Sequence, residues 1–234
     1  MTTPSFGPNA VETEFQVGKT IVDLAIKQGV VFIIFSTLPS VTDLSGGKYT
    51  KVTPFDAKAK IETYIRGSSV KSAFFAGGYF MENWHTQNFL SPRKDEDGSW
   101  ILARHVSGAT QVPYVAVEDI GKFVGAILAE PGKYEGKTFH AAAVLYTLEE
   151  IAAILSRATG KEIRYKRISV EEFEATLPFE GDTASIFVEI WSFQEEFGYF
   201  GPGTEGLVRW GVENVRGRLT TLEEYLVGRP LVLE

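Results

Sequence analysis

The sequence predicts an α/β fold built on a parallel sheet, and three observations carry that expectation. Val30 to Phe35 (VVFIIF) and Val70 to Ala76 are short, almost uninterrupted apolar runs, the pattern of strands buried on both faces. Each run follows a stretch with helical spacing, so the order helix, strand, helix, strand requires right-handed crossovers between parallel neighbours. The third observation is an abrupt change at Gly77-Gly78: the apolar run ends, and Tyr79, Phe80, Glu82, Asn83, Trp84 and His85 follow within seven residues. Chemistry in parallel sheets gathers beyond the carboxyl ends of the strands, which is where this stretch falls.

Taken in order, Met1 to Ala10 carries two prolines and reads as a loose lead-in. From Val11 to Gln28, Phe15, Ile21, Val22, Ala25 and Ile26 recur at helical spacing, and Gly29 stands where a helix-ending glycine belongs. The strand Val30 to Phe35 delivers Ser36-Thr37 to its carboxyl end. After a Gly46-Gly47 loop, Thr53-Pro54-Phe55-Asp56 has the chemistry of a helix start, and that helix runs to about Arg66. In the second half, Asp97-Gly98 separates a helical stretch from Trp100 to Arg104. Gln111 to Val117 is an extended run that Pro113 restricts to an edge or a turn. Glu118 to Leu128 is helical, Thr138 to Ala143 is a strand, and Thr147/Glu150, Ser169/Glu172 and Thr221/Glu224 are capping boxes opening three further helices. Asp182 to Phe197 is a longer aromatic helix and Tyr199 to Gly206 a glycine-rich loop. No internal repeat or low-complexity segment is present.

Composition narrows the function. The 234 residues, 44% hydrophobic and 23% charged, suffice for one full core or a core plus a small lobe. No apolar run approaches the roughly 20 residues of a membrane helix, and Met1 to Thr13 lacks a signal-peptide pattern, so a cytoplasmic protein without membrane attachment is expected. The absence of cysteine removes disulfides and thiolate chemistry together. A net charge of -7 argues against a nucleic-acid surface. The 13% aromatic content instead suits a small apolar, aromatic-type substrate.

Several chemistries can be screened out by spacing. His85, His105 and His140 have no metal-ligand spacing, so no metal site is expected, and no G-x-S-x-G elbow is present. A literal G-x-G-x-x-G occurs at Gly201, Gly203 and Gly206. It holds Pro202, follows no strand and opens no clear helix, so it is not expected to bind a dinucleotide. Glu82 and His85 are three apart and share a helical face; a carboxyl among Phe80 and Trp84 would suit a general acid, with Asn83 or His85 positioning an oxygen. A capped helix start over a packed aromatic core would use the same residues. Asp119 reads as structural. Trp191, Phe193, Phe197 and Tyr199 would wall a cleft from the far side, although aromatics at helical spacing also serve as core.

EFQVGKTIVDLAIKQGVVFIIFSTL, PFDAKAKIETYIR, GGYFMENW and VPYVAVEDIGKFVGAIL, in this order and spacing, resemble the NmrA-like family of atypical short-chain dehydrogenases, from about Gln16 to the terminal TTLEEYL. The resemblance implies a Rossmann domain (1–145) and a small helical lobe (146–234) with the site between them. The family begins with a strand and a glycine-rich phosphate turn, and this chain begins after them. The expectation is therefore a truncated Rossmann-like parallel sheet with a small, mostly helical C-terminal lobe, no cofactor unless the segment is supplied elsewhere, and a homodimer covering the exposed sheet edge. The family also resembles isoflavone-reductase-type enzymes with a lysine early in one helix, which falls on Lys58 here. These expectations give a cofactor-independent acid/base enzyme performing isomerisation, cyclisation or epoxide opening. The alternatives are a non-catalytic regulator or NADP(H) sensor that binds protein partners, and an NADP-dependent reductase.

Overall fold

A computed structural model of the chain describes residues 9–233. The predicted lead-in falls almost wholly outside them. Helix α1 (Ala10–Lys27) is followed by strand β1 (Phe32–Thr37), the single-turn α2 (Val41–Leu44), α3 (Thr53–Arg66) and β2 (Lys71–Gly77). The chain then crosses into β3 (Tyr79–Phe80), α4 (Asn83–Thr86), β4 (Arg93–Lys94), β5 (Trp100–Arg104) and β6 (Gln111–Val115). Helices α5 (Ile120–Ala129) and α6 (Pro131–Tyr134) lead to β7 (Thr138–Ala141) and β8 (Val144–Thr147). The remainder is α7 (Leu148–Thr159), β9 (Ile163–Arg167), α8 (Val170–Ala175), α9 (Asp182–Phe197), α10 (Thr204–Asn214) and α11 (Leu222–Gly228).

The described strands form three small sheets, ordered β1-β2-β7, β3-β6-β8 and β4-β5-β9. The first is wholly parallel: Phe32 to Thr37 pair with Lys71 to Ala76, and β2 pairs on its other side with β7. β2 is buried from Ser72 onward, as its apolar run predicts. β1 departs from the expectation of burial on both faces. It is the sheet's edge and only half-buried, and Val31 just before it is 79% exposed.

Gly77-Gly78 is where the chain passes from the first sheet to the second. A β-carbon on Gly78 would lie 2.3 Å from the Pro113 carbonyl oxygen, so this crossing admits only glycine. Pro113 itself is not on an edge, because β6 pairs in parallel with β3 and antiparallel with β8. The proline is tolerated because β3 contacts only Tyr114 and Val115, leaving no ladder for a Pro113 N–H to complete.

Helix α1 also turns differently from its predicted stripe. Its buried face is Ala10, Glu14, Gly18 and Val22, while Ile21 is 48% exposed. Gly18 lets α1 close on α3, since a β-carbon there would meet Ile61 Cδ1 at 2.5 Å. The three predicted capping boxes all form, at Thr147, Ser169 and Thr221. In the C-terminal portion, β9 pairs in parallel with β5, so the lobe is stitched into the first half through a sheet as well as through helices.

Candidate functional site

A cavity of about 380 Å³ opens at the carboxyl ends of β1 and β2, the place where open parallel sheets take ligands. Its sheet side is Ser36, Thr37, Leu38, Gly77, Gly78, Tyr79 and Phe80. Its floor comes from Val52, Pro54, Phe55 and Lys58 of the α3 start, and its far wall from Ile186, Phe187, Ile190 and Trp191 of α9 with Tyr199 beyond. The rings are in mutual contact: Tyr79 is stacked on Trp191 at 5.4 Å and 16°, and lies 4.9 Å from Tyr199, which meets Phe55 edge-on at 5.5 Å. Such packing fixes the ring orientations and gives the cavity an aromatic wall.

The far wall is held in place by polar ties along α9. Gln194 donates to the Gln111 carbonyl at 2.6 Å, and Tyr49 donates to Glu196 at 2.8 Å. Burial holds the phenols of Tyr79 and Tyr199 well above their ordinary range, so both remain neutral hydroxyls at any physiological pH. A second cavity, of about 370 Å³, lies between the start of α1 and the start of α9; it is lined mainly by short polar side chains and backbone and lacks an aromatic wall.

Six of the residues predicted from sequence line the aromatic cavity: Lys58, Tyr79, Phe80, Asn83, Trp191 and Tyr199. Lys58 is not a free ammonium. It bonds Glu14 of α1 at 2.8 Å, and the Glu14 side chain is 1% exposed. Five predicted residues lie elsewhere. Both carboxylate oxygens of Glu82 accept from the Val117 N–H, at 3.2 and 3.1 Å, with Arg229 3.9 Å away, so this carboxyl ties a turn and does not line the cavity. His85 is exposed, its ring 5.8 Å from Tyr225. Trp84 is buried behind the wall, near Tyr114. Phe193 is core, stacked at 5.4 Å on the half-buried Phe197.

Sequence reading missed Glu14, whose acid at a helical core position facing a lysine-bearing helix was the available signal. It also missed Leu38, Phe55 and Phe187, for which a single sequence carries no signal beyond apolarity, and Gln87, a polar residue that nothing in its sequence surroundings marks as lining a cavity. Asp119 is buried, bonded to Lys122 and to the Thr220 N–H at 2.6 Å each, in keeping with a structural acid. Gly203 does open a helix, α10, contrary to expectation, but the preceding element is α9 and not a strand. Among the described residues no group of acids and histidines is arranged to hold a metal, and no helix is long and apolar enough to cross a membrane.

A parallel sheet with a cavity at its carboxyl ends, faced by helix α9, is the architecture of a Rossmann-type α/β protein. Residues 1–226 match the NmrA-like family, and the chain belongs to it. An NmrA-like family domain-containing protein of Dictyostelium discoideum is 30% identical over 220 residues, covering 92% of this chain and 70% of that protein. The NmrA-like oxidoreductase lnaB of Aspergillus flavus is 29% identical over 166 residues, 67% of this chain and 49% of the relative. The chain thus spans about half the length of such fungal relatives. The structure of NmrA, a negative transcriptional regulator in complex with NAD, superposes with a TM-score of 0.75 at 18% identity, over 93% of this chain and 70% of that one. The NADPH-dependent quinone oxidoreductase of Escherichia coli, complexed with NADPH, gives 0.70 at 19%, over 94% and 73%. These likenesses establish the fold. They also overturn the expectation of a cofactor-free protein: matching chains hold NAD and NADPH, and the lack of a glycine-rich turn in this stretch is no ground for excluding one.

Proposed function

We propose that the chain carries the substrate side of an NAD(P)-dependent NmrA-like oxidoreductase acting on small, flat, apolar ring compounds. The observation that carries this reading is the aromatic cavity at the carboxyl ends of two parallel strands. The oxidoreductase names of several relatives support it. The described residues fit one end of a dinucleotide. Ser36, Thr37, Gly77 and Gly78 would flank its ring, whereas no glycine-rich turn between a strand and a helix is present among them for its pyrophosphate. When bound, the nicotinamide supplies or accepts hydride. The chain's own residues hold the substrate flat against Tyr79, Trp191 and Tyr199 and keep water from it. Lys58, fixed by Glu14, donates a hydrogen bond to a substrate oxygen at the cavity floor.

Saturation-transfer NMR with NADPH on the intact chain tests this. The expected result is transfer to the nicotinamide protons that persists when a saturating aromatic ligand such as 2-naphthamide is added, since the two rings occupy neighbouring places in the cavity. No transfer, or transfer to the adenine alone, contradicts the reading.

A further inference from the structure

Arg104 of β5 is 4% exposed and forms no ion pair among the described residues. Its guanidinium donates to the Ala103 and Leu90 carbonyls, each at 2.7 Å, and its Nε–H has no acceptor there. It packs over the rings of Trp191, at 5.2 Å, and Phe173, at 5.9 Å. Burial lowers its pKa, but from a starting point so high that the group stays charged. A buried cation without an anion is costly, and methionine would fill much of the same space without that cost. Two carbonyls and two ring faces use its donors, but among the described residues no anion compensates its charge.

Trp191 and Leu90 line the aromatic cavity and Arg104 does not, so the charge sits one side chain behind the wall. The lining holds no carboxylate, and its one charged side chain, Lys58, is compensated by Glu14. We propose that the cleft selects aromatic anions (phenolates, enolates or aryl carboxylates) because Arg104 places an uncompensated positive charge behind Trp191. This rests on the reading of the cleft as a site for flat rings. Coulomb attraction across about 8 to 10 Å at an effective dielectric near 20 corresponds to roughly a tenfold to thirtyfold preference for an anion over its neutral isostere.

Titration calorimetry of the intact chain with 2-naphthoate and with neutral 2-naphthamide tests the proposal. The wild type should bind naphthoate about tenfold or more tighter. That ratio should persist between about 0.05 and 0.5 M salt, since buried charge is little screened. Arg104→Met should bring the ratio close to one while leaving the naphthamide affinity within about twofold, and Lys94→Met, which removes an exposed cation outside the cavity lining, should leave the ratio standing. A wild-type ratio near one, a ratio that collapses with salt, or a ratio kept in Arg104→Met overturns the assignment. If Arg104→Met fails to fold, the wild-type ratio and its salt dependence still decide. Binding of neither ligand would overturn the reading of the cleft as well, whereas equal binding would overturn only the role of Arg104.

Discussion

On its sheet side the cleft is made by backbone: the carboxyl ends of β1 and β2, locked in a parallel ladder, with glycines where the chain changes sheets. On its lobe side it is made by one face of α9, where large rings are held by other rings and by ties such as Gln194 to Gln111. The sheet side is set by steric exclusion, and the lobe side by the area and shape of side chains. The first should tolerate no added atom and the second no removed ring.

The largest effect is expected from the lobe. Trp191→Ala deletes a buried ring that touches both Tyr79 and Arg104, and should lower stability by about 3 to 5 kcal/mol in chemical denaturation and abolish naphthamide binding. On the sheet side, Gly78→Ala forces a methyl onto the Pro113 carbonyl and should cost about 1 to 3 kcal/mol, with binding weakened through displacement of Tyr79. If Gly78→Ala proves neutral, the steric account of that wall is wrong.

Acid should act on the sheet side. His140, paired beside Ala76 in the ladder, has its pKa pushed down to about 4 by burial. Above about pH 6.5 it is neutral folded or unfolded and contributes no pH dependence. As pH falls from there toward 4, the unfolded chain takes up a proton that the fold refuses, so stability is lost, and the loss levels off below about 4. His140→Phe should remove that part of the acid slope in pH-dependent denaturation. An unchanged slope would place the titration elsewhere.

Two glutamates give the smaller effects. Glu14→Gln leaves Lys58 without its anion and should cost about 1 to 2 kcal/mol and alter ligand affinity at the cavity floor. Glu82→Gln weakens the tie to Val117 and removes the long, partly exposed pairing with Arg229, and should cost less than about 1 kcal/mol with naphthamide affinity unchanged. Equal effects of the two would contradict the placement of Lys58, and not Glu82, at the ligand.

Much of the sheet side was legible in sequence. The apolar run of β2, the Gly77-Gly78 break and the aromatic residues after it all report a buried strand ending at a cavity. The edge position of β1 was not legible, because an apolar run does not say whether a neighbour lies on both sides. Glu82 misled because Phe80 and Trp84 flank it in sequence, whereas its carboxyl bonds a backbone N–H across the turn. On the lobe side, one helix carries both wall and core. Trp191 and Phe193 are two apart and fall on different faces, and only the packed structure says which face meets the cleft. Arg104 could not be singled out, since its sequence neighbours do not reveal that β5 is buried.

Where a flat ring binds is decided most directly by a crystal structure of the intact chain soaked with 2-naphthamide. The naphthalene ring is predicted to lie in the cavity between the β1 and β2 ends and α9, in contact with Trp191, Tyr79 and Tyr199. A ring bound at the polar cavity by the start of α1, or on the surface with the aromatic cavity unchanged, would contradict it.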